Sequence, residues 1–124
     1  MIRIGSSRLV LLIGSVAIKL PFNRCGIEQS KQEIKTWEKY KSRPFNRIRK
    51  TFGPIIISDR CSKVTREEFP FFDLYVDQLE IEYPELKFEY GDIHNPDNWG
   101  WICGELVIVD YGLNLEIEKK FYNC

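Results

Sequence analysis

The chain has no surplus of charge: eighteen Lys and Arg face eighteen Asp and Glu across 124 residues. That balance removes the electrostatic reason to expect strong binding to nucleic acid or to an anionic membrane surface. There is no apolar run of the roughly 18 residues that a transmembrane helix needs. There is no internal repeat and no low-complexity tract, which sets aside solenoids and flexible linkers. The four cysteines, Cys25, Cys61, Cys103 and Cys124, contain no CxxC pair, so neither a zinc ribbon nor a dithiol redox motif is indicated. What remains is 44% hydrophobic and 29% charged residues, the balance of one folded domain with one modest core.

Arg3 and Arg8 precede the apolar run Leu9 to Ile18, and Ser15-Val16-Ala17 imitates a small-residue cleavage site. Lys19 closes that run early and Gly14-Ser15 splits it, so a secretory leader is disfavoured. Four reduced cysteines in a cytoplasmic protein are the expectation, the host-cell cytoplasm if the chain is phage-encoded; the alternative is a small secreted protein with two disulfides. The stretch Lys39 to Lys50 is locally basic and reads as a solvated face, or else as a contact for an acidic partner or phosphate.

Punctuation along the chain predicts an antiparallel α+β class. Ile2 to Ile4, Leu9 to Ile13 and Val16 to Leu20 are short runs of β-formers separated by Gly5-Ser6-Ser7 and Gly14-Ser15, which predicts a three-stranded meander. A helix follows from Ile27 to Tyr40, with Ile27, Ile34 and Trp37 on one face, and Pro44 ends it. Gly53-Pro54 introduces the strand Ile55 to Ile57. Arg60 to Glu68 is a polar connection. A second helix spans Phe71 to Glu82, with Phe72, Val76, Leu79 and Tyr83 as its stripe. Trp99 to Ile102 and Glu105 to Val109 flank the turn Cys103-Gly104 as a hairpin.

Three polar features carry candidate chemistry. Lys19 ends the apolar strand Val16-Ala17-Ile18, either as an edge charge reaching water or as a cation held over a cleft. The segment Gly91 to Asn98 gathers Asp92, Asp97, Asn98 and the single histidine, His94; such oxygen donors suit Mg²⁺, and the same residue types also build plain turns. Asp110 closes the run Leu106 to Val109 and is followed by Tyr111-Gly112, so its carboxylate either aims at a metal or ends a strand.

Taken in order, these features resemble a protein-kinase-like phosphotransferase, in the divergent form of aminoglycoside-phosphotransferase-like and phage-encoded kinase-like proteins. The family carries a VAIK-type strand lysine, a helix glutamate, an Asp-x-x-x-x-Asn catalytic loop and an Asp-x-Gly metal motif. Here Val16-Ala17-Ile18-Lys19, Glu33, Asp92 to Asn98 and Asp110-Tyr111-Gly112 match them over roughly residues 1 to 113. Gly5-Ser6-Ser7-Arg8 sits where the phosphate-covering loop belongs. The resemblance implies a minimal protein-kinase-like fold: an antiparallel N-lobe sheet with one helix over residues 1–57, and a truncated C-lobe of helix, catalytic loop and β-hairpin over 58–124.

It also implies roles. Lys19 would neutralise ATP phosphates and pair with Glu33; Gly5, Ser6 and Ser7 would cover the phosphates; Asp92 would orient the attacking hydroxyl and accept its proton; Asn98 and Asp110 would hold Mg²⁺. His94 is expected to brace the loop, and Trp99 and Trp101 to pack the lobe.

Several departures accompany the match. The loop Gly5 to Arg8 has one glycine, the gap from Asp92 to Asn98 is one residue longer than the family's, which leaves Asp97 as an alternative, and twelve residues follow Gly112. Glu38 lies nearer the apolar stripe than Glu33, the two pointing about 140° apart on a helix; Glu33 is chosen on motif likeness. Two functions stay open: Mg-ATP-dependent phosphoryl transfer to a protein or small hydroxyl substrate, and a catalytically inactive pseudokinase that binds a host protein. A nucleotide and a host or substrate protein are the expected partners, with self-association as a further expectation and neither nucleic acid nor membrane as partner.

Overall fold

The computed structural model describes residues 2–4, 7–84 and 93–111. Among them the protein is α+β, with two antiparallel sheets and two α-helices. β1 (Ile2–Ile4), β2 (Arg8–Ile13) and β3 (Val16–Pro21) form the expected meander, and α1 (Arg24–Tyr40) follows. β4 (Ile48–Phe52) and β5 (Ile55–Asp59) make a hairpin across Gly53-Pro54. β5 pairs with β3, giving the order β1-β2-β3-β5-β4. A second sheet combines β6 (Ser62–Lys63), β7 (Trp99–Ile102) and β8 (Glu105–Ile108), with α2 (Phe72–Glu82) and a 3-10 turn (Pro96–Asn98) between β6 and β7.

Two strands were not expected. β4 has the sequence Ile-Arg-Lys-Thr-Phe, with only Ile48 buried, so it lacks the alternation that marks a half-buried strand. It is an edge strand, where charged side chains are tolerated and discourage pairing with other chains. β6 has two residues, too few for any pattern. α1 begins three residues earlier than its apolar periodicity suggests, because Asn23 caps it: its Oδ1 accepts from the Gly26 N–H at 2.8 Å. Gly26 is required there, since a Cβ would stand 2.2 Å from the Ser7 carbonyl oxygen, and this close approach seats the helix start on the beginning of β2.

The face of α1 turned inward is polar. Cys25, Gln29, Ser30, Glu33 and Thr36 are buried, at the spacings of three and four that keep residues on one side of a helix, whereas the apolar Ile34 and Trp37 pack only in part against the core. α2 behaves as expected, burying Phe72, Val76 and Leu79; its outer side leaves Phe71, Leu74 and Ile81 exposed.

The core runs from Ile48 and Ile56 of the larger sheet through Phe45 and Tyr111 to Val64, Phe72, Val76, Trp99, Leu106 and Ile108. The segment after α1 stitches the two sheets together: the Ile108 N–H donates to the Pro44 carbonyl at 2.7 Å and the Asn46 N–H to the Ile108 carbonyl at 2.9 Å. No helix among the described residues is long and apolar enough to cross a membrane.

Cysteine usage departs from expectation. Cys61 and Cys103 are free thiols, but Cys25 is disulfide-bonded; Cys124 lies outside the described residues. Bonding depends on proximity in space rather than on sequence spacing, so wide separations along the chain were no guide to it.

Candidate functional site

The β3 register decides where Lys19 points. Ala17 and Lys19 share a face, with Ser58 and Ile56 opposite them on β5 and Leu12 and Val10 opposite on β2. That face looks onto a cavity of about 640 Å³ between the two sheets. Lys19 is therefore no edge charge: it is buried, and its Nζ meets Glu33 Oε1 at 2.7 Å. Glu33 is 1% exposed, whereas Glu38 is exposed, so Glu33 is the glutamate that α1 delivers to the lysine. The polar inner face of α1 thus belongs to the cavity side.

The β7–β8 hairpin brings the other end of the chain to the same place. Its register pairs Trp99 with Ile108, which sets Asn98 beside Val109 and Asp110. The Asn98 carbonyl accepts from the Val109 N–H at 2.8 Å and from the Asp110 N–H at 3.4 Å. Lys19 Nζ also donates to the Val109 carbonyl, fastening β3 to this hairpin end. Gly100 permits the approach, because a Cβ there would lie 2.5 Å from Cys61 Cβ and 2.9 Å from Val109 Cγ1.

Ser7, Lys19, Asn98 and Asp110 all line the cavity, as does Asp97. Gly5, Ser6, Asp92 and Gly112 lie outside the described residues. His94 is a loop brace: Nδ1 lies 3.2 Å from Asp73 Oδ1 and Nε2 lies 3.1 Å from Glu80 Oε1. Trp99 packs in the core with its indole N–H donating to the Ile93 carbonyl at 2.7 Å, and Trp101 packs against the same core.

Arg8 is the residue that motif reasoning passed over. Its buried guanidinium spans two carboxylates, with Nη1 3.2 Å from Glu33 Oε2 and Nη2 2.9 Å from Asp110 Oδ1. Burial works against its charge, but Glu33 and Asp110 prevail and hold its pKa above the ordinary arginine value. Arg8, Lys19, Glu33 and Asp110 form a network of two cations and two anions. Glu33 sits at its centre and also accepts from the Tyr111 N–H at 3.4 Å. Asp110 is the exposed member, its side chain 45% accessible, and so the one placed to meet a ligand.

The far wall is built by the end of β5. Asp59 is buried and takes a bidentate contact from Arg47 at 3.0 and 3.1 Å, with Arg49 Nε on the same carboxylate. Burial opposes its ionisation, and the arginines overcome that and lower its pKa. Arg43 pairs with Glu105. Three arginines of the basic stretch Lys39 to Lys50 are thus engaged with carboxylates of the fold. Cys61 also lines the cavity; burial, aided by Asp59, pushes its thiol up to about 11, so it is protonated at neutral pH and is a poor nucleophile.

Two buried polar atoms on this wall, Asn46 Oδ1 and Ser58 Oγ, have no hydrogen-bond partner. The oxygen donors at the opposite end, the Asn98 amide and the Asp110 carboxylate, are of the type that Mg²⁺ accepts.

Compared with protein-family models, curated proteins and solved structures, the chain matches none. Its function is therefore argued from the cavity itself.

His94 gives a pH dependence. Burial lowers its pKa, but the hydrogen bonds to Asp73 and Glu80 outweigh this and raise it above the ordinary 6.5. A raised folded-state pKa stabilises the fold fully below the unfolded value, and the gain is lost as pH rises through the folded value. Because His94 and Asp73 are both well exposed, the effect is expected to stay below about 1 kcal/mol. Urea unfolding at pH 5.5 and pH 8.5 checks it: the His94→Gln variant should be less stable than wild type at the lower pH and equal to it at the higher.

Proposed function

We propose that this protein is a minimal kinase-like protein that binds Mg-ATP in the cavity between its two sheets and transfers the γ-phosphoryl group to a protein or small hydroxyl substrate. One observation carries the reading: Lys19, paired with the buried Glu33 at 2.7 Å, lines the same cavity as Asn98 and Asp110, although these residues are spread over most of the chain.

In this reading Glu33 fixes the Lys19 ammonium so that it faces the phosphates, and Ser7 stands at their cover. Asn98 and Asp110 would hold Mg²⁺, which would supply neutralisation of phosphate charge. Asp92, at its motif position, accepts the proton of the attacking hydroxyl, with Asp97 the neighbouring carboxylate beside Asn98. Rate enhancement in such a site comes from positioning and preorganised charge.

Two specific observations favour the second reading, a catalytically inactive binding module. Arg8 holds the Asp110 carboxylate at 2.9 Å, where it competes with a metal, and Phe71, Leu74 and Ile81 present an exposed apolar side of α2 of a kind used to bind proteins.

Thermal unfolding with and without Mg-ATP tests nucleotide binding, since a ligand that binds only the folded state raises the midpoint. An unchanged midpoint at millimolar Mg-ATP overturns the phosphotransferase and leaves the protein-binding module. Transfer of label from γ-labelled ATP separates them: label on the protein or on an added substrate supports the phosphotransferase, and binding without transfer supports the inactive module.

A further inference from the structure

We infer that the outer side of α2 is a docking face for a basic amphipathic helix of a partner protein. Leu74 and Ile81 form its apolar ridge, and the cleft beside Tyr75 seats one large side chain of the partner. The inference rests on the binding-module reading above and names the partner's chemistry.

α2 is apolar on two sides. Phe72, Val76 and Leu79 are buried in the core. At about 100° per residue, Leu74 and Ile81 fall on the opposite side, with Phe71 beside Leu74. These three are 64% (Phe71), 66% (Leu74) and 73% (Ile81) exposed. A surface helix needs only the stripe that faces its own core. The second stripe adds nothing to this fold and leaves apolar area in water that a partner would cover.

A cleft of about 400 Å³ adjoins the ridge. Phe69, Tyr75, Tyr83 and Trp101 line it, with the Phe69 ring 5.4 Å from Trp101 and 6.0 Å from Tyr75 between centroids. Tyr75 follows Leu74 in the chain, so ridge and cleft are continuous. An aromatic cleft beside an apolar ridge is the form in which interfaces anchor one bulky residue.

Charge selects the partner. α2 carries Asp73, Asp77, Glu80 and Glu82 and no Lys or Arg. On one flank Arg66 meets Asp73, and His94 meets Asp77 and Glu80. On the other, Glu82 and Glu105 line the cleft. Glu105 is matched by Arg43 at 2.7 Å, whereas Glu82 forms no ion pair among the described residues. A second copy docked through the same face would set carboxylates against carboxylates, which is repulsive. A helix whose apolar stripe is bordered by Lys and Arg supplies the complement. The backbone of α2 is bonded within the helix and offers no edge for a strand, so side chains packing on a ridge, helix on helix, is the mode that fits.

Fluorescence anisotropy of the whole chain with three labelled peptides, each of roughly 18 residues so that a helix can form, tests this. One is an amphipathic Leu/Lys peptide, the second replaces every Lys by Glu, and the third replaces every Leu by Ser. Wild type should bind the Leu/Lys peptide about tenfold or more tighter than either of the others. Leu74→Ser combined with Ile81→Ser should weaken it by about tenfold or more. Ile13→Ser, at an exposed apolar position of β2, should leave it unchanged. All three positions are exposed, so the thermal midpoints should stay near wild type, which shows that lost affinity is not lost folding. Equal binding of the Leu/Lys peptide by wild type and the double variant overturns the docking face while the binding-module reading stands. So does failure of wild type to prefer that peptide over the other two. Wild type sedimenting as a dimer that the double variant loses makes a second copy the occupant and overturns the basic partner. Label transfer from γ-labelled ATP, by contrast, overturns the inactive-module reading alone.

Discussion

Replacing Glu33 by alanine is expected to lower the free energy of unfolding by about 3–5 kcal/mol, the range for removing one partner of a buried charge network. The carboxylate is 1% exposed and meets Lys19 at 2.7 Å and Arg8 at 3.2 Å. Without it, the buried Arg8 is left with Asp110, whose side chain is 45% accessible, and the buried Lys19 with the Val109 carbonyl. Neutralising them by deprotonation is open to the lysine but not to the guanidinium. The matched control is Glu38→Ala, at an exposed position of the same helix, for which the change should stay within about 0.5 kcal/mol. Equilibrium urea unfolding of the two variants and wild type measures both. A Glu33→Ala variant within 1 kcal/mol of wild type, by the yardstick of surface substitutions, would mean that the network is not the buried anchor described above.

Asp110→Ala is expected to have the opposite profile, a small structural effect with a large functional one. Its partner Arg8 keeps a second bond to Glu33, and the Asp110 side chain is 45% accessible. The loss in stability should therefore be about 1 kcal/mol or less. If Asp110 is the metal-holding carboxylate, the variant should lose about 100-fold or more in Mg²⁺-dependent affinity for ATP, comparable to or greater than the 10–100-fold typical of groups that merely support a metal ligand. Any label transfer should fall to background. Titration of ATP at zero and 5 mM Mg²⁺ (concentrations chosen about the millimolar range used for the midpoint test) separates this from general weakening: wild type should respond to the metal and the variant should not. An equal Mg²⁺ response in both proteins would remove Asp110 from the metal role.

Much of this arrangement was legible in the sequence wherever a residue's type and its neighbours spoke together. Gly14-Ser15 and Cys103-Gly104 mark two hairpins because their residue types suit tight turns, and the strands on either side follow; Gly53-Pro54 announced only the strand after it. Lys19, Asn98 and Asp110 were visible because each ends an apolar run or joins a polar loop at a recurring spacing, and the cavity collects all three. What escaped has a physical cause in each case. β4 is an edge strand rich in charge, so its pairing leaves no hydrophobic trace. The buried face of α1 is polar and carries the Glu33 that pairs with Lys19 and Arg8, so the apolar stripe of Ile27, Ile34 and Trp37 was no guide to it and made Glu38 look as good as Glu33. Arg8 read as part of a phosphate loop, since nothing local announces that a strand-opening arginine will be buried between carboxylates 25 and 102 residues away. The disulfide at Cys25 is likewise a matter of spatial proximity.

The direct test is a crystal structure of the protein with Mg²⁺ and a non-hydrolysable ATP analogue. The account predicts the triphosphate between Lys19 and Asp110, with the ion on Asn98 and Asp110 and the Arg8–Asp110 contact broken or shared. Density for the analogue elsewhere on the surface, with the cavity closed and Arg8 still seated on Asp110, would contradict it.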